Sequence, residues 1–165
     1  MEIRPRIKLE LTHADKTVEI IGWLLIFAIW GLAFYKFDSL PDIIPTHYNG
    51  SGVPDGFGDK WMFLTLSLVA TVLFVAMTVL NKFPHIFNYP TYITVENAVK
   101  QYTNATRLIR YLKVIIVAVF GLIAYQTIRH INGQTEGLGA WFLPLTMVLI
   151  FIPLFYFIIK SFKTK

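Results

Sequence analysis

The sequence predicts an all-α integral membrane protein with four transmembrane helices, a compact outer loop between the first two, and a basic cytoplasmic helix before the third. Three observations predict it. The 165 residues are 55% hydrophobic and only 15% charged, against about 45–50% and about 25% in a soluble globular domain. Four apolar stretches approach the roughly 20 residues that a helix needs to cross a bilayer. Lys and Arg are spread unequally over the connecting segments, as they are when a chain has a fixed orientation in a membrane.

The chain reads as a single membrane domain, 1–165, with spans at 18–35, 61–80, 112–128 and 141–159. None of the spans carries a charge near its centre, since Glu19 stands at the very start of the first. That first run is too long for a signal-peptide core, and no small-residue cleavage site follows it. Residues 1–17, before the first span, carry Arg4, Arg6, Lys8 and Lys16. The segment 81–111 carries Lys82, Lys100, Arg107 and Arg110, and the tail 160–165 carries Lys160, Lys163 and Lys165. The loops 36–60 and 129–140 are poorer, with Lys36 and Lys60 in one and Arg129 in the other. The positive-inside rule therefore puts both termini in the cytoplasm. Tyr35, Trp61 and Trp141 fall where spans meet the outer interface, the level that amphipathic rings prefer.

Thr12 and Asp15 have capping-box spacing at the start of the first helix. In the cytoplasmic segment, Thr94 is expected to cap a helix. Ala98, Tyr102, Ala105, Ile109 and Leu112 recur at three- and four-residue steps, giving that helix an apolar stripe away from Lys100, Arg107, Arg110 and Lys113. If it continues into the third span it covers about 34 residues, or roughly 50 Å. Gly31, Gly121, Ala70 and Ala76 are small enough for close helix contact, and Pro153 should kink the fourth span. The net charge of +5 comes from residues that flank spans, so it does not indicate nucleic acid. The lipid bilayer is the expected partner.

The loop 36–60 is dense in turn signals: Pro41-Asp42, Asn49-Gly50 and Pro54-Asp55-Gly56. Pro fixes φ and Gly accepts positive φ, so such dipeptides reverse the chain. Interleaved aliphatic and aromatic residues distinguish this loop from a flexible linker. It should fold over the mouth of the bundle, with Asp59 capping the second span.

The same loop carries a family likeness. Leu40-Pro41-Asp42, Ile44-Pro45, His47, Asn49, Gly52, Pro54-Asp55 and Lys60 form an ordered pattern. It resembles the bacterial membrane domain of unknown function 1648, which also stands at the N-terminus of SdpI-type immunity proteins. The resemblance covers the first two spans and their loop. It implies a bacterial cytoplasmic membrane location and, by analogy, immunity to a secreted peptide. The further motif of the longer immunity proteins is not found in the second half.

The candidate binding residues are Pro41, Asp42, Pro45, His47, Asn49, Gly52, Pro54, Asp55, Asp59 and Lys60. Asp42, His47, Asp55 and Asp59, with His130 on the same face, offer oxygen and imidazole groups, but no HExxH or His-x-His spacing marks a metal site. Each Asp also suits a turn or cap. No nucleophile elbow, P-loop or dinucleotide fingerprint occurs, and there is no cysteine. We therefore expect no catalytic residue, no metal and no cofactor. Ion-coupled transporters place ionisable groups within the bundle, and the spans offer only Thr65, Ser67, Thr71, Thr78, Tyr125 and Gln126 as mild polar groups. The expected function is a non-enzymatic binding or immunity-type module that meets an extracytoplasmic peptide or partner protein through the outer loop. The alternative is an accessory or transport subunit of a larger membrane assembly.

Overall fold

The computed structural model describes residues 4–164. Lys165, one of the basic residues counted for orientation, and the first three residues of the N-terminal segment lie outside the described residues. Four helices are long and apolar enough to cross a membrane: α1 (His13–Phe37), α2 (Met62–Leu80), α3 (Ala98–Ile131) and α4 (Phe142–Lys163). α1 opens on the expected capping box. Thr12 Oγ1 accepts from the Asp15 N–H, and the Thr12 N–H donates to Asp15 Oδ2. This satisfies two groups that a helix terminus otherwise leaves open.

α3 is one continuous helix of 34 residues and packs against α1, α2 and α4. α1, α2 and α3 contact one another in turn, whereas α4 packs mainly on α3. Two apolar clusters fill the three-helix core. Ile26, Ile29, Ala70, Phe74 and Val117 occupy its middle. Ala33, Leu40, Ile44, Phe63, Ala124 and Ile128 occupy the end beneath the first loop. Polar ties reinforce them where lipid supplies no hydrophobic drive between helices. Trp30 Nε1 donates to Thr71 Oγ1 at 2.9 Å, and Thr71 in turn donates to the Ser67 carbonyl.

The close-packing residues differ from expectation. Gly31 and Gly121 face open space, and Ala76 is exposed. Gly22 is the close-approach glycine instead, since a Cβ there would run into the Phe74 ring. Ala70 is buried as a small core residue.

The all-α expectation needs one correction. The first loop is a two-stranded antiparallel hairpin, β1 (Ile43–Tyr48) and β2 (Pro54–Asp59). Register runs from Ile43 opposite Asp59 to Tyr48 opposite Pro54, with irregularities on either side of His47. The pairing forms although β2 contains a proline and two glycines, residues depleted in strands. Long-range backbone pairing here overrides local preference.

Two caps also differ. α2 begins with Trp61 at its N-cap and no side-chain cap bond, and Asp59 Oδ1 accepts the Trp61 N–H one step ahead of the helix. Thr94 forms a reciprocal box with Asn97 in the turn before α3, which itself starts at Ala98.

The N-terminal segment from Arg4, the connection between α2 and α3, and the last turn of α4 meet at one end of the bundle. Arg4 Nη1 donates to the Phe87 carbonyl at 2.6 Å, and Tyr102 Oη donates to the Pro5 carbonyl. Gln101 Nε2 donates to the Ser161 and Thr164 carbonyls. Ile93, Ala98 and Tyr102, with Ile7, Leu9 and Tyr89 against them, form a third apolar cluster there. The three basic segments of the sequence thus share the termini end, and the hairpin stands at the other.

Candidate functional site

The hairpin is anchored from below by apolar burial. Leu40 and Ile44 are buried against Ala33, Phe63 and Ile128, and Pro45 is buried beside them. Tyr48 reaches α3, with its hydroxyl 2.8 Å from Thr127 Oγ1. Thr127 already donates to the Ile123 carbonyl, so Tyr48 acts as the donor. Burial pushes the Tyr48 phenol above its ordinary value, which keeps that donor protonated.

The tip is held by main chain. Asn49 Oδ1 accepts from the Ser51 and Val53 N–H groups, and the Asn49 N–H donates to the Val53 carbonyl. Gly52 has φ +77°, a conformation that favours glycine. Its carbonyl accepts the Leu138 N–H at 2.7 Å. Pro54 lies close to Gly137 in the same connection between α3 and α4.

Four of the five charged candidates form two pairs. At the root, Lys60 Nζ lies 3.1 Å from Asp42 Oδ1, and the Lys60 N–H donates to the Asp42 carbonyl. On the outer face His47 Nδ1 bonds Asp55 Oδ1, with both side chains exposed. Pro41 and Asp59 are exposed. The structure therefore gathers the ten sequence candidates in the hairpin and its two flanks, but Asn49, Gly52, Pro54, Asp42 and Lys60 are engaged in shaping it. His47 and Asp55 are exposed, and Phe57 and Ile43 of the same hairpin are 62% and 67% exposed.

Those features are carried by a known sequence unit. Residues 24–71 match the family model described as Domain of unknown function (DUF1648). This segment is similar to DUF1648 domains. It covers most of α1, the whole hairpin and the first half of α2. An uncharacterized protein of Archaeoglobus fulgidus is 28% identical over 90 residues, half of this chain and 49% of its own length. The chain thus spans about half the length of that relative. No solved structure matches.

Outside the matched segment the structure assembles a second group that sequence reading missed. The basic residues near the start of the third span were expected to face away from the packed stripe, with ionisable groups of interest confined to the outer loop. Instead Arg110 and Lys113 are buried against α1. Glu19 Oε1 accepts from Arg110 Nε at 3.0 Å, and Glu19 Oε2 accepts from Lys113 Nζ at 2.6 Å. Lys113 also donates to Thr78 Oγ1 and lies 4.4 Å from the centre of the Phe74 ring. Asp15 receives Arg107 Nε and Nη2, with Arg110 Nη1 at 3.7 Å. The signal in the sequence was spacing: Asp15 and Glu19 are four apart, and Arg107, Arg110 and Lys113 are three apart, so each set lies on one helix face.

Among the described residues no group of three or more His, Asp and Glu side chains stands ready to hold a metal.

Proposed function

We propose that this chain is a non-enzymatic protein of a prokaryotic cytoplasmic membrane whose hairpin is a rigid extracytoplasmic recognition surface for a peptide or a partner protein, in an immunity-type or related binding role. The observation that carries this reading is the division of labour within the hairpin. Buried Ile44 and the Tyr48–Thr127 bond hold it to the bundle, while Phe57, Ile43 and the His47–Asp55 pair are left exposed on it. A preordered surface loses little entropy on binding, and exposed aromatic residues are frequent anchors of such contacts.

The reading is tested by photo-crosslinking from position 57 in native membranes. A discrete protein or peptide adduct is expected, falling roughly tenfold in yield in His47→Ala and Asp55→Ala, as a contact worth about 1.4 kcal/mol would require. Membrane abundance should stay unchanged. Adducts with lipid only, or yields indifferent to both substitutions, would refute it.

The orientation has its own test. The chain has no cysteine, so one introduced at Ser51, which is exposed, reports alone. Ser161 is buried and bonded to Gln101, which makes the exposed Lys163 the better reporter for the other end. Ser51→Cys should react with an impermeant maleimide in intact cells, and Lys163→Cys only after permeabilisation. The reverse pattern would turn the protein over in the membrane.

A second reading, an accessory or transport subunit of a larger assembly, is favoured by α4. No residue of α4 between Phe142 and Phe157 is buried, so that stretch is available to helices of a partner. Stoichiometric copurification with one membrane protein would support it.

A further inference from the structure

At the termini end, α1, α3 and α4 enclose a groove of about 450 Å³ that no element of the chain fills. Arg107 and Lys160 stand at its head, and Tyr111, Ile152, Pro153 and Tyr156 line its length. Ile152 lies eight residues before Lys160 on α4, roughly 12 Å further into the span at 1.5 Å per residue. The cationic end of the groove is therefore at the edge of the apolar zone, and the apolar end is inside it. Ile152 and Tyr156 are 64% and 58% exposed, so the groove opens sideways, toward the space that lipid occupies.

The charge balance at its head is positive. Asp15 is in the wall, but both of its oxygens are engaged, by Arg107 and by the cap at Thr12. Arg107 meets Asp15 and Thr12 through Nε and Nη2, and a guanidinium has further donors on Nη1. The network sets Arg107, Arg110 and Lys113 against two carboxylates, Asp15 and Glu19. Among the described residues no carboxylate pairs with Lys160, whose ammonium stands 5.8 Å from the Tyr156 ring centre.

We propose that this groove binds one anionic phospholipid from the leaflet at the termini end. The phosphate sits between Lys160 and Arg107, and the upper part of an acyl chain runs along Tyr111 and Ile152. Its oxygens meet donors that the protein does not saturate, and its charge offsets the surplus. A zwitterionic lipid, whose headgroup cation lies beside its own phosphate, gains less.

The test uses the full chain in phosphatidylcholine nanodiscs with and without phosphatidylglycerol, read by thermal unfolding and by native mass spectrometry. Phosphatidylglycerol should raise the midpoint by about 4 °C, with one such lipid retained per chain. Both effects should vanish in Lys160→Gln, persist in Lys160→Arg, and persist in Lys163→Gln, which changes charge away from the groove. Ile152→Trp, which fills the apolar end and leaves every charge in place, should also abolish retention and stands in if Lys160→Gln fails to fold. Inorganic phosphate in phosphatidylcholine discs should give no shift. Equal midpoints in the two lipids, equal losses in Lys160→Gln and Lys163→Gln, or a shift reproduced by phosphate alone would each overturn the proposal.

Discussion

Glu19→Ala is expected to deplete the protein from the membrane more severely than any substitution in the hairpin. Glu19 is the carboxylate that both Arg110 and Lys113 use. Lys113 is wholly buried, so without Glu19 its ammonium keeps only the Thr78 hydroxyl and the face of Phe74. Leaving one charge of a buried pair uncompensated costs about 3–5 kcal/mol, a large share of the roughly 5–15 kcal/mol that holds a typical fold. Arg110 suffers less, because Asp15 remains at 3.7 Å. The double variant Glu19→Leu/Lys113→Met removes both charges and should recover much of the loss, since buried pairs are often replaceable by apolar residues of similar size. Membrane abundance and unfolding temperature in mild detergent would be compared across the two singles and the double. An additive double, or a silent Glu19→Ala, would mean that water reaches the network and solvates it.

The second large effect is expected at Gly52→Ala, and it should be local. A Cβ on Gly52 would lie 2.6 Å from both the N and the O of Gly139, which are main-chain atoms and cannot rotate away. The φ of +77° adds the cost of a left-handed alanine, on the order of 1–2 kcal/mol. The hairpin tip and the α3–α4 connection must therefore separate, breaking the bond from the Leu138 N–H to the Gly52 carbonyl. Amide exchange at Val53 and Leu138 should accelerate by about tenfold or more, the equivalent of at least 1.4 kcal/mol of lost protection. Exchange in the middle of α1 and α3 should be unchanged. Gly50→Ala is the control: a Cβ at Gly50 meets nothing within 4 Å. Equal behaviour of the two variants would show that the tip does not dock on the connection in solution.

The spans were legible because the core of a small soluble domain seldom calls for apolar runs of bilayer length. The bounds of the first and third spans were drawn tighter than the helices themselves, which run from the Thr12 cap in α1 and over 34 residues in α3. The hairpin was hidden by its own composition. Pro54, Gly56 and Gly58 signal turns, and only pairing with Ile43–Tyr48 makes their segment a strand. Asn49-Gly50 between two short runs was the available clue. The candidate residues of the loop were chosen by type, and type could not tell the Asp42–Lys60 pair at the root from the exposed His47–Asp55 pair. The Glu19 network was missed for a different reason. Orientation alone accounts for a basic residue next to a span, and which carboxylate it faces is a tertiary fact. Gly22 was passed over likewise, because its neighbour Phe74 belongs to another helix.

The attachment of α4 has a consequence for how its sequence can vary. Near one end Gln101 and Asn104 grip the carbonyls of Ser161, Thr164 and Phe157. At the other, Phe142 is buried and Leu138 bonds Gly52. Between these moorings its side chains meet mostly lipid or the flank of α3. Lipid asks for apolarity and length, not for a particular shape. Exchanges among Leu, Ile, Val, Phe and Met from 143 to 151 should therefore drift freely between related chains, while Gln101 and Ser161, whose side chains bond each other, change only together.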